Sequence, residues 1–171
     1  NNFAISSGGI GEALERSASS LMAANNTIDE SIALITAANT VVQDPTSVGT
    51  AFKTISMRIR GAKTELEEAG LETEGMVEST AKLRGEILAL TGVDIMDGAN
   101  QFKSTYAIMD ELAVKWKDLT DIQQATVTEL IAGKRQGNVV SSLMQNFDLA
   151  RDALETSLNS SGSAMKEHEK W

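Results

Sequence analysis

The sequence predicts an all-α fold, a multi-helix bundle of amphipathic helices. Three observations carry that expectation. Apolar residues recur three and four apart along most of the chain, the spacing that lines one face of a helix. Proline occurs once in 171 residues, at Pro45, so long stretches are free to be helical. Aromatics make up only 4%, which leaves a core of Leu, Ile, Val, Ala and Met suited to helices packed side by side.

The elements follow in order. Ile10, Leu14, Ala18 and Leu21 mark a first helix after the Gly8-Gly9 break. "TIDE", Thr27 to Glu30, has the form of a capping box and opens a second helix bearing Ile28, Ile32, Ile35 and Val42. "DPTS" supplies Asp44 as N-cap and Pro45 at the first helical position, where a missing N–H costs nothing. A long third helix carries Val48, Phe52, Ile55, Ile59, Ala62 and Leu66 and ends at Gly70. After "GLETEG", a fourth bears Leu83, Ile87 and Leu90 and stops at Gly92.

The helical period is then lost. Val93 to Met96 and Gln101 to Ser104 fit a small two-stranded hairpin around Asp97-Gly98. Tyr106, Met109, Ala113 and Trp116 resume a helix, and "TDIQ", Thr120 to Gln123, is a second capping box before Val127, Leu130 and Ile131. Val140, Leu143, Met144 and Phe147 mark a short helix, "DLARDALETSL" the next, and "SAMKEHEKW" the start of a last one. The chain opens on Asn1-Asn2 and stops at Trp171 inside a charged run, and it reads as a fragment of something longer. Residues 1–40 read as a helical lead-in continuous with a helical domain over 41–171.

Charge and composition narrow the function. The net charge of −9 argues against broad binding to nucleic acid or anionic membrane, since the mean field repels both. Cysteine is absent, which removes disulfides and thiolate metal sites. No apolar run approaches the roughly 20 residues that span a bilayer.

Tests for chemistry fail one by one. "AGKRQGN" would need glycine at position 128 and Ser or Thr at 135 to be a phosphate loop, but these are Thr128 and Arg135. The simpler reading has Gly133 ending one helix, Lys134 and Arg135 at its negative end, and Gly137-Asn138 starting the next. "GGIGEAL" lacks the third glycine of a dinucleotide fingerprint, with Leu14 in its place. "DIMDGANQ" shares only an Asp-Gly pair with a calcium loop. His168 is the lone histidine and has no metal-binding companion. Glu65, Glu67, Glu68, Glu72, Glu74 and Glu78 read as a solvated acidic face; paired-carboxylate chemistry there needs a separation that sequence does not provide. No catalytic residue, cofactor-binding residue or metal ligand is assigned, and the protein reads as a non-enzyme. Met57, Arg58 and Arg60 in "SMRIRG", with Lys134 and Arg135, are the candidate partner contacts. The two arginines either pair with surface glutamates or dock an acidic partner such as another copy of the chain.

The order of several segments goes further. "VVQDPTSVGTAFKTISMRIRGAKTELEEAG", "LRGEILALTGVDIMD", "FKSTYAIMDELAVKWKDLTDIQQATVTELIAGKRQGNVVSSLMQNF" and "SGSAMKEHEKW" together resemble the core region of phage tail tape measure proteins. Residues 1–40 match more loosely. The resemblance implies a structural role without cofactors: a chain around which tail tube protein polymerises with tail assembly chaperones and other copies of the chain, and whose length sets the tail's. It implies a place in the tube lumen of a phage or prophage tail, after host-cytoplasmic assembly, and release at infection for DNA delivery. The alternative is a helical adaptor or secretion-apparatus module that binds proteins through an exposed helix face.

Overall fold

The computed structural model describes the backbone of residues 7–169 and the side chains of residues 9–160. Among the described residues nine helices follow one another: α1 (Ser7–Ala23), α2 (Ile28–Val42), α3 (Pro45–Ile59), α4 (Lys63–Glu68), α5 (Thr80–Thr91), α6 (Thr105–Trp116), α7 (Asp121–Ala132), α8 (Gly137–Gln145) and α9 (Phe147–Glu169). There is no sheet among the described residues. The hairpin expected at 93–104 reduces to one antiparallel bridge, Met96 to Phe102. The Lys103 N–H donates to the Ile95 carbonyl at 3.0 Å and the Asp97 N–H to the Gln101 carbonyl at 2.7 Å, while the Val93 and Ile95 side chains are buried in the core.

Local chemistry sets most helix starts. The Thr27 hydroxyl accepts from the Glu30 N–H at 3.0 Å while the Glu30 carboxylate accepts from the Thr27 N–H at 2.9 Å. Thr120 and Gln123 repeat this reciprocal cap on α7, and Asp44, Ser79 and Ser104 cap α3, α5 and α6.

Three expected boundaries move. The first helix does not wait for the Gly8-Gly9 pair but runs through it from Ser7. The long third helix is broken at Gly61, where φ is +72°. The Ala62 N–H reaches back to the Met57 carbonyl at 2.9 Å, and the Gly61 N–H to that of Arg58 at 3.1 Å. This paired closure ends α3 and restarts the chain as α4. The two last helices are one, because nothing between Leu158 and Ala164 breaks α9. His168 has its side chain outside the described residues.

α2 is the centre. It touches α1, α3, α6, α8 and α9, and every residue from Ala33 to Asn39 is buried. A helix apolar on all sides belongs inside, so the single stripe expected on it gives way to burial all round. Ile28 is half exposed, at 50%. α1 lies along α3, where a Cβ on Gly49 would come within 2.9 Å of the Arg16 Cβ and 3.0 Å of the Ala13 carbonyl oxygen. Only glycine allows that approach. The buried Asn26 joins α1 to α6, donating to the Leu21 carbonyl and accepting from the Tyr106 N–H, each at 2.9 Å. One apolar cluster runs from Ala13 to Ala153, with Tyr106 and Phe147 ring centroids 5.3 Å apart.

Two outcomes follow. Phe52 is fully enclosed, so Phe52→Ala should lower the unfolding free energy by about 3–5 kcal/mol, read from urea titrations. The Asp94 carboxylate accepts two hydrogen bonds from Arg84, both at 2.7 Å, and one from the Met96 N–H at 3.0 Å. Arg84 and then that N–H hold its pKa at about 2, below the ordinary 3.8. Its stabilisation is therefore present above 3.8 and lost as pH falls through about 2. Asp94→Asn should melt below the parent at neutral pH, and the gap should close across that acid window.

Candidate functional site

The residues between α4 and α5, 69–79, form a strap without regular structure laid against the end of α7. What holds it is Arg58. The basic side chains of "SMRIRG" do not share one surface: Arg58 is 1% exposed, among the most deeply buried large side chains. Its Nη1 donates to the Glu72 carbonyl at 2.9 Å, and its Nη2 to the carbonyls of Glu74 at 3.0 Å and Glu129 at 2.7 Å. The Glu129 carbonyl also accepts from the Gly133 N–H, so the cation sits at the negative end of α7. Burial pulls the Arg58 pKa down, and the charges of Glu72 and Glu129 oppose that. Its Nε is buried without a hydrogen-bond partner among the described residues.

Glu72 makes the second half of the arrangement. Its carbonyl holds Arg58 while its carboxylate turns inward, 7% exposed. Oε1 accepts from the Lys134 N–H at 2.7 Å and Oε2 from the Arg135 N–H at 3.3 Å. The carboxylate thus satisfies backbone donors just beyond α7, a small anion nest filled from within the chain. Gly133 makes this possible. Its φ of +79° and ψ of 175° suit glycine alone, and a Cβ there would lie 2.6 Å from Glu72 Oε1.

The sequence-assigned contacts therefore separate. Arg58 is withdrawn from any partner because it is buried and its Nη1 and Nη2 donate to three carbonyls. Arg60 is half buried and stands 3.8 Å from the exposed Glu65, the first of the two alternatives expected for it. Met57 is partly exposed on α3. Lys134 and Arg135 are exposed; the Arg135 guanidinium lies 3.8 Å from Glu72. Arg58 and the 134–135 pair are brought together through Glu72, which sequence reasoning left in a solvated face. Its neighbours Glu65, Glu67, Glu68, Glu74 and Glu78 are exposed as expected.

A cavity of about 200 Å³ beside Arg58 is bordered by Met76, Val77, Leu83 and Leu130, with Lys63 and Ser79 at its polar side. Among the described residues no group of His, Cys, Asp and Glu is placed to hold a metal ion, and no helix is long and apolar enough to cross a membrane. The chemistry of the site is cohesion: a cation on carbonyls and a carboxylate on N–H groups.

Arg58→Ala strips three carbonyls of their charged donor and should cost about 3–5 kcal/mol in urea unfolding. Arg60→Ala, on an exposed pair, should stay within about 1 kcal/mol. Equal effects from the two would remove the distinction drawn here.

No solved structure matches the chain. The family described as phage-related minor tail protein matches residues 1–133, more than three quarters of the chain. That span takes in the first 40 residues and ends on Gly133, the residue that Glu72 closes over. With that coverage, the chain belongs to the phage-related minor tail protein family.

Proposed function

We propose that this protein is a segment of a tape measure protein, acting without catalysis in tail assembly and tail-length determination. The observation that carries the reading is membership of the minor tail family over residues 1–133. The combination of "SMRIRG", "LTGVDIM" and "AGKRQGN", which resembles tape measure core regions, supports the finer role. On this reading the partners are tail tube protein, tail assembly chaperones and other copies of the chain. The protein works in the tube lumen after assembly in the host cytoplasm, and the parent chain leaves at infection so that DNA can pass. Arg60, Lys134 and Arg135, with Met57, are the groups we assign to contact with tail components.

The fold gives this role a measurable geometry. As one continuous helix, 171 residues would extend about 250 Å. Folded, a chain of this length is about 40 Å across by the usual scaling of compact domains. A ruler containing this module folded gains little length from it.

Because α1 and α2 share their core with the later helices, the deletion that removes the module cleanly is residues 1–171 of this sequence, made in frame in the parent phage. Tail lengths by electron microscopy should shorten by far less than about 1.5 Å per deleted residue, and assembly or DNA delivery should fail. An equal deletion in an extended stretch of the parent chain should shorten tails in proportion. Infectious tails of normal length after the first deletion would overturn the assignment.

A further inference from the structure

Helices α8 and α9 form an arm joined to the body by the four residues Gly133 to Gln136, with Gly137 opening α8. The arm covers α2 with Val140, Leu143, Met144, Phe147 and Ala150, all buried. Its polar ties match the body as closely. Arg151 donates to Asp110 at 2.6 and 2.9 Å, and the Ser157 hydroxyl donates to Asp29. All of these contacts lie between arm and body. None depends on which copy of the chain supplies the arm.

The junction differs. Gly133 is held in a backbone shape open to glycine alone, and α8 begins at Gly137 with no side-chain cap from Gln136. The backbone N–H groups of Lys134 and Arg135 are held by the Glu72 carboxylate. These bonds require the junction to be folded back on its own body. They are the contacts that a straightened junction forfeits.

We propose that α8–α9 is an exchangeable arm, that Gly133 to Gln136 is its hinge, and that Glu72 is the latch keeping the monomer closed. The partner is a second copy of this chain, whose arm docks on the α2 face with Arg151 on Asp110 and Ser157 by Asp29. Exchange re-forms the apolar interface and both polar ties, and it gives up the latch and the long Gly137-to-Lys134 hydrogen bond of the junction. The inference is independent of the tape measure reading, since it concerns the chain alone.

Because the protein has no cysteine, the test can place its own. One preparation carries Asp29→Cys and a second carries Ser157→Cys, each with and without Glu72→Ala. The two are mixed, incubated at high concentration and treated with a short bis-maleimide. Mass and helicity are followed by light scattering and circular dichroism. With Glu72 present the chain should be mainly monomeric. Glu72→Ala should raise the dimer fraction by about tenfold or more, given the charge-assisted bonds lost, and mixed 29-to-157 cross-links should appear. A folded Glu72→Ala protein that stays monomeric overturns the proposal, as does a dimer without the mixed cross-link. Deleting Lys134 to Gln136 leaves Glu72 and every core residue in place but makes the hinge too short to fold back. It should produce a dimer that cross-links in the same way, and a folded monomer there overturns the proposal whatever Glu72→Ala does.

Discussion

Much of this structure hangs on one guanidinium. Arg58 donates from Nη1 and Nη2 to the carbonyls of Glu72, Glu74 and Glu129, and so pins an irregular strap to the end of α7. Removing a cation from water is expensive, and it is tolerated here because carbonyl dipoles and two nearby carboxylates replace the lost hydration. Lysine would not serve: a point ammonium cannot spread its donors across three carbonyls in a planar fork. With the strap in place, Glu72 reaches the backbone beyond α7. With Glu72 in place, Gly133 is committed to its unusual turn. The end of α7, the entry to α8 and the course of 69–79 are therefore one cooperative unit rather than three loops.

The same unit explains where sequence reading stopped. Caps at Thr27, Asp44 and Thr120 were legible because their partners lie three residues away, and the stops at Gly92 and Gly133 because a positive φ asks for glycine. The all-α class followed from apolar spacing, the single proline and the scarcity of aromatics. Arg58 finds its partners 14, 16 and 71 residues along the chain, beyond any local rule. A signal did exist: Arg58 lies three residues after Ile55 and seven after Ala51, on the stripe that carries the core. A charge on an apolar stripe asks for buried partners, and the strap supplies them. Glu72 left no comparable trace, since among six nearby glutamates nothing local distinguishes the one that turns inward.

Other departures have equally local causes. The break between α3 and α4 was hidden because Ala62 and Leu66 continue the apolar spacing past Gly61, so periodicity argued through the stop. The opposite happened at the C-terminal end, where "SSGS" suggested a break that α9 does not make. α2 reads as a one-sided helix from its isoleucines, yet Ala33, Leu34, Ala37 and Ala38 are buried along with Ile35. Small residues on every face let several neighbouring helices approach closely. The hairpin shrinks to a single bridge closed by the Lys103 N–H on the Ile95 carbonyl and the Asp97 N–H on the Gln101 carbonyl, while Val93 and Ile95 face the core and Asp94 is tied to Arg84.

The position of α2 in chain order carries a consequence for synthesis. It is complete at Val42, yet its cover on one side, α8 and α9, begins only at Gly137. Roughly 100 residues of translation separate the two, about 5–20 s at common elongation rates. During that interval the least polar helix of the chain stands outside the ribosome with part of its surface open. Its first neighbours to arrive, α1 and α3, shield one flank. The nascent chain is thus most prone to sticking before α9 has been made, and slowing translation past Gly133 should lengthen that exposure.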